Sequence, residues 1–247
     1  MLNRTARWEL KLIRMALTAE WIDMHRPIGH LVPGRDPSAE SKSDSSLHAA
    51  GGYSKDLGFW WYIQWPKEVR SRTIKFITTI RAEDGTLVSI NVLEYAAMII
   101  TYLASYYVLV MVNPSAADPY SLLKLWADNT TAESWILKSS KSSPIGRALS
   151  RLQCALMINN PVGIWAGHVS THPNIIADRI SRILIESHLP FEMSKLFQEH
   201  PDLKHLRRFH PSAELILHVM EALLSDSFVD PLQTSRQLLA NPGRITM

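Results

Sequence analysis

His168-Val169-Ser170-Thr171-His172-Pro173-Asn174-Ile175-Ile176-Ala177-Asp178-Arg179-Ile180-Ser181-Arg182 is the stretch on which the fold turns. It joins a strand, read over Val162 to Val169, to a helix, read over Asn174 to Ser187, through a polar loop broken by Pro173. The helix carries an acidic residue, Asp178, beside Arg179 and near Arg182. A strand that runs through a short loop into a helix is a building unit of α/β domains. The flanking sequence supplies more of the same.

Upstream, Lys42 to Leu47, Ala49 to Tyr53 and Leu57 to Trp65 read as short strands. The aromatic run Phe59-Trp60-Trp61-Tyr62, with Ile63 and Trp65, has strand composition. Gly51-Gly52 marks a tight turn or a close backbone approach within a hairpin. A break is expected at Pro66, followed by the basic stretch Arg70 to Lys75. Ser89-Ile90-Asn91 opens a long helix, and Leu122 to Ala127 is an apolar strand that ends at Asp128. Thr131 to Lys138 and Ile145 to Ile158 read as helices. The order of strands, helix, strand, helices, strand and helix predicts a mixed α/β domain over residues 40–187. Before it, Arg4 to His25 reads as an amphipathic helix, and Pro27, Pro33 and Pro37 make 27–42 a linker or surface loop, so 1–39 is an N-terminal helix and connection. After Pro190 the sequence predicts helices only, at 191–200, 211–225 and 230–240, which makes 188–247 a helical C-terminal extension.

The 247 residues are 46% apolar, enough for a packed core, and Lys plus Arg exceed Asp plus Glu by 26 − 23 = 3. That balance, with a sequence pI of about 9.0, permits a polyanionic partner without requiring one. The single cysteine, Cys154, excludes an internal disulfide and a thiolate zinc cluster and fits a reducing compartment. With no secretory pattern at the N-terminus, the expected location is intracellular, cytoplasmic or nuclear. Tyr95 to Val112 carries no charge and approaches the length of a membrane span. Its four tyrosines, a threonine and a serine, and the lack of a basic flank, favour a buried core helix instead.

Four carboxylates carry the chemistry. Each has an ordinary structural role available: Asp44 beside a turn, Glu94 in a capping box with Asn91, Asp128 as a helix N-cap, Asp178 in a surface ion pair. Taken together they suit another task. Phosphodiester hydrolysis by two cations needs hard oxygen ligands from several elements, holding the ions about 3.5–4 Å apart. Like charges gathered in this way repel until cations neutralise them, so metal binding should stabilise the fold.

The sequence resembles the ribonuclease H domain of retroelement reverse transcriptases, of the gypsy-like and DIRS-like kind. The opening stretch is similar to the family's "HxPGxxNxxADxLSR". Ala127-Asp128-Asn129-Thr130 with Ala132 is similar to "(T/S)DNxxA", Ser43-Asp44-Ser45-Ser46 with Ala49 to Gly52 to "xDASxxGxGG", and Ser89 to Glu94 to "ISxxELxA". The resemblance implies a ribonuclease H-like mixed sheet flanked by helices, with Asp44, Glu94, Asp128 and Asp178 holding two Mg2+ or Mn2+ ions. It implies an RNA–DNA hybrid as substrate and a reverse transcriptase palm domain as a partner. It also implies a loop histidine, His168, ten residues before Asp178, that assists proton transfer or product release; His172 is the rival. No membrane is implied. Ser170-Thr171 replaces the family's Pro-Gly, Ser43 stands where Gly is common, and no Tyr-x-Asp-Asp polymerase motif is present. A catalytically silent nucleic-acid-binding or scaffold remnant is therefore the alternative. Arg70, Arg72, Lys75, Lys138, Lys141 and the Lys204 to Arg208 run are candidate phosphate contacts or solvated surface, and Trp60, Trp61 and Trp65 are expected in the core.

Overall fold

A computed structural model describes residues 36–78, 88–114, 121–140, 143–158, 160, 162–224 and 231–246, together with Leu10, Ile13 and Arg14. The helix expected over Arg4 to His25 and most of the expected linker lie outside these residues. The chain is an α/β fold built on a seven-stranded mixed sheet flanked by helices, as the sequence predicts. Its strands are β1 (Ala39–Ser45), β2 (Ala49–Ser54), β3 (Phe59–Gln64), β4 (Leu122–Ala127), β5 (Gly163–His168), β6 (Arg207–Pro211) and β7 (Gly243–Thr246). They lie in the order β5-β4-β1-β2-β3-β6-β7. β1, β2 and β3 form an antiparallel meander, and β4 and β5 add parallel to β1. β6 adds parallel to β3, and β7 pairs antiparallel with β6.

The helices are α1 (Lys67–Thr78), α2 (Ile90–Tyr106), α3 (Thr130–Lys138), α4 (Pro144–Ile158), α5 (Ile175–Ser181), α6 (Leu189–Glu199), α7 (Ala213–Leu224) and α8 (Pro231–Ala240). Alternation along the central strands sorts them onto two faces. Ala50, Phe59 and Trp61 point into the larger core, with α2, α4 and α7. Ala49, Tyr53, Trp60 and Tyr62 point the other way, onto α5 and α6. α2 runs on through a wider turn, Tyr107–Val112. The whole stretch Ile90–Val112 has the length and hydropathy of a membrane span, yet 78% of its most apolar window is buried inside the fold. Helix residues Val92 to Tyr106 are all buried, the position of a core helix.

Gly51 and Gly52 are the close approach that the sequence suggests, one on each face. A Cβ on Gly51 would lie 2.3 Å from Ile180 Cγ2, in α5. A Cβ on Gly52 would lie 2.6 Å from the Lys42 carbonyl oxygen and 2.9 Å from Thr101 Oγ1, in α2. The bare backbone thus lets a helix settle on each side of β2. The hairpin turn itself is Ser46 to His48, closed by the Ser46 N–H donating to the Ala49 carbonyl at 2.9 Å.

Several expectations are corrected. Ala39 to Ser41 belong to β1 rather than to a linker. The break expected at Pro66 is present, and the basic stretch after it lies within helix α1. The helix expected to reach Ser187 ends at Ser181. The region after Pro190 is not all helical, because it supplies β6 and β7 to the sheet. Those two strands are polar, with Arg207, Arg208, His210 and Arg244, and lack the apolar alternation that marks a strand in sequence.

Candidate metal centre

β1 and β4 are parallel neighbours with Lys42 opposite Trp126, so they carry Asp44 and Asp128 to the same end of the sheet. α2 packs over β1 and adds Glu94 from its second turn. Carboxylate oxygens of Asp44, Glu94 and Asp128 lie within 4.8 Å of one another. Asp44 is 4% exposed and Glu94 3% exposed, while Asp128 is half-buried.

Burial and mutual repulsion set the electrostatics. Glu94 is pushed well above the usual carboxylate range, first by burial and then by the Asp44 charge, against a hydrogen bond from the Ser45 backbone N–H to its Oε1 at 3.1 Å. Asp44 is pushed up to about 6 by burial, with the Ser181 hydroxyl acting against the shift and Asp128 and Asp178 adding to it. That hydroxyl donates to Asp44 Oδ2. Thr171 Oγ1 donates to Asp128 Oδ2 at 3.3 Å. Glu94 Oε2 is buried and has no hydrogen-bond partner among the described residues. A buried carboxylate oxygen without a donor is costly, and a cation placed among the three acids removes that cost.

Asp178 joins them at the rim of one cavity of about 750 Å³, lined also by Ser45, His48, Asn91, Asn129 and Arg182. It stands outside the tight three-carboxylate group. Arg182 holds it instead, donating from Nε to Asp178 Oδ1 at 2.7 Å, with a second guanidinium nitrogen at 2.5 Å. The hydrogen bond to Asp178 is the main reason the Arg182 guanidinium is pushed further up. α5, which bears Asp178, is seated by Gly51 and tied to β1. Asn174 Nδ2 donates to the Ser43 carbonyl at 3.1 Å, Lys42 Nζ to the Pro173 carbonyl at 3.0 Å, and Ser46 Oγ to the Ser181 carbonyl at 2.7 Å.

The ordinary structural roles fare unequally. Asn129, not Asp128, caps α3, accepting from the Thr131 and Ala132 N–H groups at 3.0 Å. Ser89 is the N-cap of α2, so Asn91 lies inside the helix and accepts instead from Asn129 Nδ2 at 2.8 Å. That removes the capping box from Glu94. The ion pair expected of Asp178 is present. His168 ends β5 opposite Ala127; it is exposed and does not line the cavity. His172 is exposed in the turn before α5. The histidine that lines the cavity is His48, half-buried in the β1–β2 turn. Sequence reasoning passed over it, although its place four residues after Asp44, across a turn, was the available signal.

The basic candidates divide. Arg72 donates to the Leu224 carbonyl at 2.8 Å and so ties α1 to the end of α7. Arg208 stacks over Trp60 at 5.5 Å and pairs with Glu186 at 3.4 Å. Trp60, Trp61 and Trp65 are buried, as expected of core residues, and the Trp65 indole N–H donates to Ser45 Oγ at 3.1 Å behind the acidic cluster.

Three converging carboxylates, one with a buried oxygen left open, form a set of hard oxygen donors that can hold a metal ion. Comparison with protein-family models, with curated proteins and with solved structures returns no match.

Proposed function

We propose that the chain is a metal-dependent endoribonuclease of the ribonuclease H type, hydrolysing the RNA strand of an RNA–DNA hybrid. The observation that carries the reading is the convergence of Asp44, Glu94 and Asp128 within 4.8 Å around a buried, unpartnered Glu94 oxygen. The open cavity in front of them and the motif resemblance support it.

Asp44, Glu94 and Asp128 would be the principal ligands, and Asp178 would complete a second position. Oxygen-only donors suit Mg2+ or Mn2+. When bound, a pair of such ions supplies a water acidic enough to attack phosphorus in line while the bond to the leaving ribose oxygen breaks. The chain's own part is to fix the donors in place. Ser181 and the Ser45 N–H orient Asp44 and Glu94, and Thr171 orients Asp128. Leu47, Val88 and Ile90 supply an apolar part of the cavity lining. Hybrid preference would follow duplex shape and 2′-hydroxyl contacts rather than base reading.

The alternative is a silent nucleic-acid-binding remnant, and the position of His168 outside the cavity favours it. Two measurements decide. Millimolar magnesium should raise the melting temperature of the full chain, and labelled hybrid should be cut in its RNA strand. Magnesium stabilisation without cleavage leaves a metal-binding remnant; neither effect defeats the reading.

A further inference from the structure

Asp178 reaches the cavity of the three clustered acids, yet its carboxylate is engaged by Arg182. We propose that Arg182 is a positioning residue that keeps Asp178 out of the metal set until a phosphate of the bound strand draws the guanidinium away. The freed carboxylate then completes the second cation position. This inference rests on the nuclease reading and adds to it a coupling between substrate phosphate and the second ion.

Four observations carry it. Arg182 is the only lysine or arginine among the described residues lining the cavity, so it is the group there that an anionic backbone would meet first. Its side chain is 67% exposed, whereas that of Asp178 is 17% exposed; one partner is free to swing and the other stays directed inward. The backbone beneath them is fixed, because α5 is tied to β1 through Asn174, Ser46 and Ser181. A side-chain exchange therefore suffices, with no movement of the helix. Finally, the Asp178 carboxylate is the one acid of the cavity absent from the tight group, and it is the one held by a cation.

The energetics suit an exchange. Nε and a terminal nitrogen of Arg182 both close on Asp178 Oδ1, and a phosphate oxygen accepts from the same donors, so a phosphate competes directly with Asp178. An ion pair with one exposed partner is readily exchanged. Such a clasp yields readily to a phosphate that brings its own charge-assisted contact.

The test uses Mn2+ alone, titrated into the full chain, with free ion followed by electron paramagnetic resonance. Wild type should bind one ion under conditions where Arg182→Gln binds two, the second site tightening by about tenfold. Arg182→Gln combined with Asp178→Asn should return to one ion, because the effect passes through Asp178. Arg182→Lys keeps the charge and should stay at one, which separates loss of the clasp from damage to the fold. In an Asp128→Asn background, where cleavage is held off, adding Arg182→Gln should weaken hybrid binding by about tenfold, the scale of one charged contact. One ion in both wild type and Arg182→Gln, or unchanged hybrid binding, overturns the role of Arg182 and leaves the metal centre standing. No Mn2+ bound by wild type at millimolar concentration overturns both.

Discussion

Glu94 and Tyr95 are neighbours on one buried helix and enter two polar regions of opposite character. The Tyr95 hydroxyl lies 2.5 Å from Gln153 Oε1 and 3.1 Å from Ser150 Oγ. Gln153 Nε2 donates to the Ile136 carbonyl at 2.8 Å, and Ser150 Oγ donates to the Gly146 carbonyl at 2.9 Å while accepting from the Ser140 N–H at 2.9 Å. The Tyr95, Gln153 and Ser150 side chains all find partners inside the protein. Glu94, one residue earlier, leaves an oxygen open beside two further carboxylates. Buried polar groups that serve only architecture close their contacts within the chain. The contrast sets Glu94 apart from Tyr95 as a buried carboxylate that lines the cavity with an oxygen left open.

The hardest blow to that contrast is chemical. Asp128→Asn should reduce magnesium-dependent hybrid cleavage by several orders of magnitude, as the loss of a cation worth several kcal/mol requires, and should melt no lower than wild type. Tyr95→Phe should cut at the wild-type rate. Retained cleavage in Asp128→Asn, followed on a labelled hybrid, rejects the site.

The next effect is on pH. Asp44 is raised from 3.8 to about 6 in the folded chain, so the folded state takes up its proton more readily than the unfolded state. Stability from this group is complete below pH 4 and is lost as pH rises through about 6, an effect of about 3 kcal/mol. The difference in melting temperature between wild type and Asp44→Asn removes the part of Glu199 and Asp202, whose lowered values act in the opposite sense, and includes the Glu94 shift that the Asp44 charge adds in the same sense. Without metal, wild type should lose ground to Asp44→Asn between pH 4 and pH 7, and magnesium should restore it at pH 7 but not at pH 4. A difference that does not change with pH would refute the buried-acid account.

A smaller effect belongs to the seat of α5. Gly51→Ala drives a methyl to 2.3 Å from Ile180 and should cost about 1–3 kcal/mol in urea unfolding. Cleavage should fall further than stability explains, since Asp178 and Ser181 ride on that helix. The smallest sharpens the opening contrast directly. Tyr95→Phe should lose about 1–3 kcal/mol of stability and keep the full magnesium response. Glu94→Gln should lose the magnesium response without becoming less stable in its absence.

The central elements were legible because their residues obey the periodicities of buried structure. Phe59 to Gln64 alternates between two cores, and Leu122 to Ala127 runs apolar up to the acid that follows it. The acids could be grouped from local motifs, and three of them meet as expected. What escaped was decided by tertiary contact. Arg207 to Pro211 becomes a strand because the far edge of β3 is available, not through any pattern of its own. Ser89 rather than Asn91 is the N-cap, and the Asn91 side chain is engaged by Asn129, 38 residues away in sequence. His168 was favoured by its offset from Asp178, whereas His48 reaches the cavity through the geometry of a turn.

The pairing of β6 with β3 has a practical corollary. Phe59, Trp60 and Trp61 stand in register with Arg207, Arg208 and Phe209. A version shortened after Ser187 would strip that cover and present a bare aromatic ladder to the solvent, a ready template for sticking to its own copies. A shortened version should therefore keep the polar tail end, which covers the β3 edge of the sheet on the side away from the acidic cluster.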